Sequence, residues 1–198
     1  MTYKPVPIKY RKSPPYTLAV DYFDFVSGAG YKEFYFLGTK DNVGSKYTLT
    51  TDGSMIADDG NYILITGNDI NFDLTFADNV TIANALATIS YTTSTNGATT
   101  QTIVWTIYHY DGTTETSLGT VTGVVTGTGN QHFRKTIQLM LSQKTFKKGE
   151  TLRVNSVVSG SAWLRTYIDP AGTQSFTSTA GGTITSASTI NIPFKVQT

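Results

Sequence analysis

The sequence predicts an all-β protein built as an antiparallel β-sandwich. Threonine is its most frequent residue, and this β-branched side chain suits a sheet better than a helix. Several segments alternate apolar and polar residues with a period of two, which indicates strands with one buried face. Clusters of Gly, Asn, Asp and Ser separate these segments and predict turns. The best short helix candidate is Thr81–Ile89.

The bulk composition excludes several classes of protein. At 198 residues the chain has room for one sizeable core with an attachment. Charged residues make up 15% of it, below the usual ~25%. The absence of cysteine excludes disulfides, thiolate metal sites and a cysteine nucleophile. No apolar run approaches the roughly 18 residues of a membrane helix, so we expect no membrane span.

Residues 1–16 are predicted to be an extended arm that holds a neighbouring molecule. The segment is basic and rich in proline, with no acid before Asp21. Proline removes a backbone donor and favours extended backbone in the residue before it. The segment also lacks the apolar stretch of a signal peptide. The candidate assembly residues are Lys4, Pro5, Pro7, Lys9, Arg11 and Lys12.

Residues 17–69 are predicted to form β-hairpins that pack on the sandwich or on a neighbour. The expected strands are 17–26, 32–37, 46–50 and 62–66. Their aromatic side chains are too many to face one core, so some are expected to bury against another copy. A hairpin that caps the sandwich and a sugar-stacking surface are the alternatives. The candidate interface aromatics are Tyr22, Phe23, Phe25, Tyr31, Phe34 and Tyr35.

Residues 70–198 are predicted to form the sandwich itself. Eight strands are expected, at 70–76, 85–93, 102–110, 116–125, 133–141, 152–158, 163–169 and 189–196. Eight strands in two antiparallel sheets suit a jelly roll. The main competitor is an immunoglobulin-like sandwich, which normally has seven strands in about 100 residues. Asp169–Ser188 is expected to be a surface loop or hairpin, and Pro193 indicates an edge or a bulge in the last strand.

The segment KTFKKGETLRVNSVV, Lys144–Val158, carries a family resemblance. It is similar to the turn and strand that precede the closing strands of C1q/TNF-like jelly rolls. Together with Tyr110–Thr120 and the final strand, it makes residues 70–198 resemble the single jelly rolls of virion structural proteins, such as capsid, decoration and head-fibre proteins. The resemblance implies an assembly role in a virion, and it brings no catalytic residues.

Recognisable catalytic motifs are missing from the sequence. The two histidines, His109 and His132, lie in or beside predicted strands, and no G-x-S-x-G nucleophile elbow accompanies them. The glycine-rich stretch Gly119–Asn130 lacks the lysine of a phosphate loop and is interpreted as a strand ending in a turn. No calcium-binding loop is present. We therefore predict no enzyme, no cofactor and no metal, although distant paired carboxylates and a structural cation stay open.

Charge is distributed unevenly along the chain. Residues 1–12 carry four bases and no acid, residues 13–80 carry three bases and ten acids, and residues 81–198 carry eight bases and four acids. Such segregation suits contacts between copies. Nucleic acid is disfavoured as a partner because, beyond the arm, acids outnumber bases. The expected partners are copies of the chain and other capsid proteins, in a trimer or a larger shell.

The predicted function is that of a capsid-associated virion subunit, as a minor capsid, decoration or spike/fibre-base protein. The alternative is a carbohydrate-binding or adhesion module of the same sandwich class. A third reading, a β-sandwich hydrolase, has no candidate set of catalytic residues in the sequence.

Overall fold

The computed structural model describes residues 29–38, 46–57, 62–65, 69–95, 98–128, 131–159, 164–178 and 180–195. Every regular element in these ranges is a strand, so the all-β prediction is confirmed. The strands are β1 Ala29–Leu37, β2 Lys46–Thr50, β3 Tyr62–Ile65, β4 Ile70–Thr75, β5 Val80–Ile82, β6 Leu86–Thr95, β7 Ala98–Tyr110, β8 Glu115–Thr128, β9 His132–Met140, β10 Lys144–Phe146, β11 Thr151–Ser159, β12 Leu164–Tyr167, β13 Ser175–Thr177, β14 Thr183–Thr185 and β15 Thr189–Lys195.

All eight strands expected after residue 69 are present, with ends that shift by a few residues. The expected strands at 32–37, 46–50 and 62–66 correspond to β1, β2 and β3, while 17–26 lies outside the described residues. The helical interpretation of Thr81–Ile89 is wrong. Its first residues belong to β5, which pairs with β10 and β15, and its last residues belong to β6.

Thirteen strands join into one sheet, in the order β3-β12-β6-β15-β1-β2-β4-β11-β7-β8. In addition, β9 pairs with β6, and β5 pairs with β10 and β15; β13 and β14 form a separate hairpin. The pairings are antiparallel except that β2 and β4 run parallel. β3, which lies between β2 and β4 in the sequence, pairs with β12 elsewhere in the sheet. The chain then returns to place β4 beside β2, and the two strands run in the same direction. The prediction of a purely antiparallel arrangement is corrected at this point.

The core holds a cluster of aromatic rings. Phe36 of β1 packs edge-on against Phe72 of β4, with ring centroids 4.6 Å apart. Trp105 of β7 lies beside Phe36 at 5.4 Å and beside Tyr91 of β6 at 5.3 Å. All four side chains are fully buried. Their contacts tie together four strands that are far apart in sequence.

Glycines along β8 allow other strands to approach it closely. A Cβ on Gly119 would lie 2.5 Å from the backbone oxygen of Met140 in β9, and a Cβ on Gly123 would lie 2.7 Å from the Tyr91 hydroxyl. The sequence analysis interpreted Gly119–Asn130 as a strand that ends in a turn. In the structure this stretch is strand as far as Thr128.

The last strand, β15, is an interior strand, which corrects the expectation that Pro193 marks an edge. β15 pairs with β1 along its whole length. On its other side it pairs with β6 up to Asn191 and with β5 from Phe194. Pro193 therefore lies where β15 changes partners, a position at which a missing backbone donor breaks no ladder.

Candidate interaction surface

The outward side chains of β9, β6, β15 and β1 form one surface, which we call the polar sheet face. Two rows of side chains cross all four strands in register. The rows are Gln138, Thr88, Asn191 and Glu33, and Thr136, Ser90, Thr189 and Tyr35; all but buried Thr189 are at least partly exposed. Glu33 is the only charged residue among these eight. Because the buried centre of protein interfaces is depleted in charge, this composition suits contact with another protein.

An apolar row borders the polar sheet face. Two residues along each strand from Gln138, Thr88, Asn191 and Glu33 lie Met140, Leu86, Pro193 and Tyr31, of which Pro193 is buried. Leu86 and Met140 face each other and are 41% and 59% exposed, and Tyr31 is 52% exposed. Exposed apolar side chains that lie side by side indicate an interaction surface. The sequence analysis did not single out Leu86 and Met140, although period-two alternation places both opposite the core side of their strands.

Tyr31, Glu33 and Tyr35 alternate along β1, and we call them the β1 strip. The Tyr35 hydroxyl donates a hydrogen bond of 3.0 Å to Glu33 Oε2. This hydrogen bond is the main cause that raises the pKa of Tyr35 above its ordinary value, with burial adding to it. The Tyr35 ring lies over Gly53, where a Cβ would approach Cζ to 2.8 Å. The absence of a side chain at Gly53 therefore leaves room for the Tyr35 ring.

The sequence-predicted interface residues divide into three groups. Tyr31 and Tyr35 lie on the polar sheet face. Phe34 is fully buried and packs against Phe194 with centroids 6.1 Å apart, so it belongs to the core and not to a surface. Its inward position follows from the alternation along β1. The remaining candidates lie outside the described residues: Lys4, Pro5, Pro7, Lys9, Arg11, Lys12, Tyr22, Phe23 and Phe25.

The KKGE turn between β10 and β11 is a structural element. Phe146 is fully buried, and Gly149 adopts a φ of 88°, which favours glycine. Glu150 binds the Nε2 atom of buried His109 at 2.7 Å and accepts the Lys147 backbone N–H at 2.8 Å. These two hydrogen bonds, His109 first, hold the pKa of Glu150 below its ordinary value. His109 thus anchors the turn to β7.

His132 belongs to an aromatic cluster at the start of β9. Its ring stacks on Phe176 of β13 with centroids 4.2 Å apart and planes 7° from parallel. Its Nε2 atom lies 3.0 Å from the Tyr167 hydroxyl. Tyr62 packs edge-on against Tyr167, and the Arg165 guanidinium lies 4.9 Å from the centre of the Tyr62 ring. Burial, followed by the charge of Arg165, lowers the pKa of His132.

The segment Asp169–Ser188 forms the β13–β14 hairpin, one of its two predicted forms. Buried Asp169 accepts hydrogen bonds from the Thr173 backbone at 2.8 Å, the Ser186 hydroxyl at 3.1 Å and the Ala57 backbone at 3.3 Å. Burial acts to raise the pKa of Asp169, but these hydrogen bonds outweigh it, and the pKa lies below its ordinary value. The carboxylate therefore ties both ends of the hairpin to the loop after β2.

Two further properties concern only the residues that the structure describes. Among them, no three His, Asp or Glu side chains come together in a way that suits a metal ion. Within the same ranges, no helix has the length and hydropathy to cross a membrane.

Comparison with known proteins gives a likeness of fold. No protein-family model matches the sequence, and no curated protein matches it. Solved structures that share the fold include a CocE/NonD family hydrolase from Staphylococcus aureus, at 15% identity and a TM-score of 0.62 over 84% of this chain. An α-amino acid ester hydrolase matches at 12% identity, with a TM-score of 0.58 over 83% of the chain. An aminopeptidase from the marine sediment archaeon Thaumarchaeota archaeon matches at 10% identity, with a TM-score of 0.60 over 86%.

The chain spans just over a third of those proteins, 37%, 36% and 37% of their lengths. The C1q/TNF-like resemblance is weakly represented, by the Eiger TNF of S. frugiperda at a TM-score of 0.37, which carries no argument. The prediction that the chain is not an enzyme is contradicted, because its fold occurs within proteins described as hydrolases and an aminopeptidase. A search for catalytic motifs does not detect this likeness, since it lies in the fold at 10–15% identity.

Proposed function

We propose that this chain is a jelly-roll subunit of a virion that assembles with copies of itself through the polar sheet face and the basic N-terminal arm. The observation that carries the proposal is the polar sheet face itself: a sheet surface with one charge in two complete rows, bordered by exposed Tyr31, Leu86 and Met140. The expected role is that of a minor capsid, decoration or spike/fibre-base protein, in a trimer or a larger shell.

The size of the polar sheet face explains why an arm is needed as well. Four strands about 4.8 Å apart and three rows about 6.7 Å apart give roughly 400 Å², with side-chain margins included. A stable interface buries about 800 Å² on each partner. Sixteen residues in an extended conformation span about 50 Å. Contact through the predicted arm would therefore add to an area that the polar sheet face alone does not supply.

Native mass by light scattering tests this proposal on the full chain and on a chain without residues 1–16. We expect a trimer or larger from the full chain, closed assemblies in negative-stain electron micrographs, and loss of both without the arm. The double substitution Leu86→Lys and Met140→Lys is expected to dissociate the assembly, because it buries two charges at the contact. Val124→Lys, at a side chain 52% exposed on β8, is the matched control. A full chain that is monomeric at all concentrations would contradict the proposal.

A second candidate is an all-β module that serves a hydrolase. The fold match over 83–86% of this chain favours it. Hydrolysis of aminoacyl p-nitroanilides and p-nitrophenyl esters by the purified chain, alone and with proteins that co-purify with it, tests this candidate. Activity that persists through purification and disappears in His132→Gln or His109→Gln would support it. The absence of turnover from all fractions would count against this candidate.

Carbohydrate binding stays a prediction, and the cluster around His132 is where we place it. Tyr62 offers a partly exposed ring, and the Arg165 guanidinium lies beside it. Binding on a glycan array that is lost in Tyr62→Ser would support this alternative, whereas an array without signal would remove it.

A further inference from the structure

We propose that the β1 strip of one copy receives residues 4–15 of the N-terminal arm of a second copy. This inference rests on the proposed assembly function and names the contact through which the arm acts. The receiving residues are Tyr31, Glu33 and Tyr35, and the arriving residues are the prolines and bases of the arm.

The chemistry of the two partners is complementary. Proline-rich segments are extended before they bind and dock on surfaces lined by aromatic rings. The β1 strip presents two tyrosine rings with a carboxylate between them. The arm presents prolines on both sides of a basic run, Lys9, Arg11 and Lys12. Each ring therefore has a proline to contact, and the carboxylate has a base.

The electrostatic setting directs the arm to this strip. Glu33 is the single charge in the two complete rows of the polar sheet face, and it is exposed. The first 12 residues carry four bases and no acid. A basic side chain of the arm would meet no acidic side chain at any other position in these two rows. The positions that flank these rows on the same face are bases, Arg134 on β9 and exposed Lys195 on β15, so Glu33 is the position in the rows that attracts a basic segment.

A charge exchange between two full-length variants tests the contact. One variant carries Glu33→Lys; the other carries Lys9→Glu, Arg11→Glu and Lys12→Glu. We expect each alone to assemble at least tenfold more weakly than the wild type. A 1:1 mixture is expected to form assemblies that contain both variants, since the arm of each variant meets an oppositely charged strip on the other. An even-numbered assembly can satisfy every contact in this way, and a trimer can satisfy two of its three contacts. Asp78→Lys, at an exposed acid between β4 and β5, is the control and keeps the wild-type mass.

The outcomes separate this inference from the proposed function. If Glu33→Lys keeps the wild-type mass while removal of residues 1–16 dissociates the assembly, the arm binds elsewhere and only the inference fails. If both variants dissociate and the mixture stays monomeric, the pairing of arm and strip is wrong. If Glu33→Gln, which keeps an acceptor for the Tyr35 hydroxyl, retains full affinity and its assembly is insensitive to 0.5 M salt, the role of charge is overturned. A monomeric wild type overturns both proposals.

Discussion

Arg153 of β11 and Asp73 of β4 face each other in register and form a two-pronged ion pair. Arg153 Nε donates to Oδ1 at 2.7 Å, and Nη2 donates to Oδ2 at 2.6 Å. Glu115 of β8 binds the remaining side of the guanidinium, whose carbon lies 4.5 Å from the centre of the Tyr110 ring. The hydrogen bond to Asp73 is the main cause that raises the pKa of Arg153, against the opposing effect of desolvation. The pair fixes β4 to β11 on the side away from the core.

Replacing Arg153 by methionine is expected to lower the free energy of unfolding by roughly 3 kcal/mol, because a largely buried Asp73 loses its partner. Glu115→Gln is the comparison and is expected to cost under about 1 kcal/mol, because the Glu115 side chain is 40% exposed. Urea unfolding followed by circular dichroism measures both. Equal losses from the two substitutions would contradict the special role of Asp73.

Gly119→Ala is expected to destabilise the chain by about 1–3 kcal/mol, because the new methyl group would lie 2.5 Å from the Met140 backbone oxygen. Backbone atoms cannot move aside as a flexible side chain does, so β8 and β9 must separate. Thr122→Ala, at an exposed position of the same strand, serves as the control. Equal midpoints of thermal unfolding in the two variants would contradict this close approach of β8 and β9.

Acidification is expected to weaken the fold through His132. The pKa of His132 is below its ordinary value of about 6.5 in the folded chain, chiefly through burial, so the unfolded chain binds the proton first. The free energy of unfolding should therefore fall as the pH drops through about 6.5 toward the lower pKa of the folded chain. Glu150 and Asp169 have lowered pKa values and titrate at more acidic pH, outside this window.

His132→Gln isolates this effect because it keeps a hydrogen-bonding group near the Tyr167 hydroxyl and removes the titration. Urea midpoints between pH 7.5 and 5.5 should fall more steeply in the wild type than in the variant. Parallel slopes in the two proteins would mean that His132 does not titrate differently on folding.

The long strands could be predicted because each buries one face. Period-two alternation located β7 and β11, each of nine or more residues, to within a few positions. The three-residue strands β5, β10, β13 and β14 are too short to show a period. The parallel pairing of β2 with β4 depends on where β3 finds its partner, which local patterns do not encode.

The candidate surface was only partly predictable for a related reason. Alternation along β1 separates Phe34 from Tyr31 and Tyr35, but the aromatic cluster was treated as one group. Leu86 and Met140 become neighbours only when β6 and β9 pair. The likeness of fold to solved structures was invisible to a motif search because a fold shared at 10–15% identity leaves no common motif.

Two buried tyrosines, Tyr91 and Tyr167, differ in the hydrogen bonding of their hydroxyl groups. The Tyr91 hydroxyl is buried and has no hydrogen bond of ordinary geometry with the described residues. Burial raises the pKa of Tyr91 to about 12, and the nearby Trp105 indole opposes this only in part. The Tyr167 hydroxyl, in contrast, is hydrogen-bonded to His132 at 3.0 Å.

Tyr91→Phe is therefore expected to leave the free energy of unfolding unchanged or to raise it by up to about 1 kcal/mol, since it removes an unpaired polar group from the core. Tyr167→Phe is expected to lower it by about 1 kcal/mol, because it removes one hydrogen bond. Both substitutions delete a single oxygen atom from a buried ring, so a difference between them reports the hydrogen bonding alone. A loss in Tyr91→Phe as large as that in Tyr167→Phe would show that the Tyr91 hydroxyl has a partner.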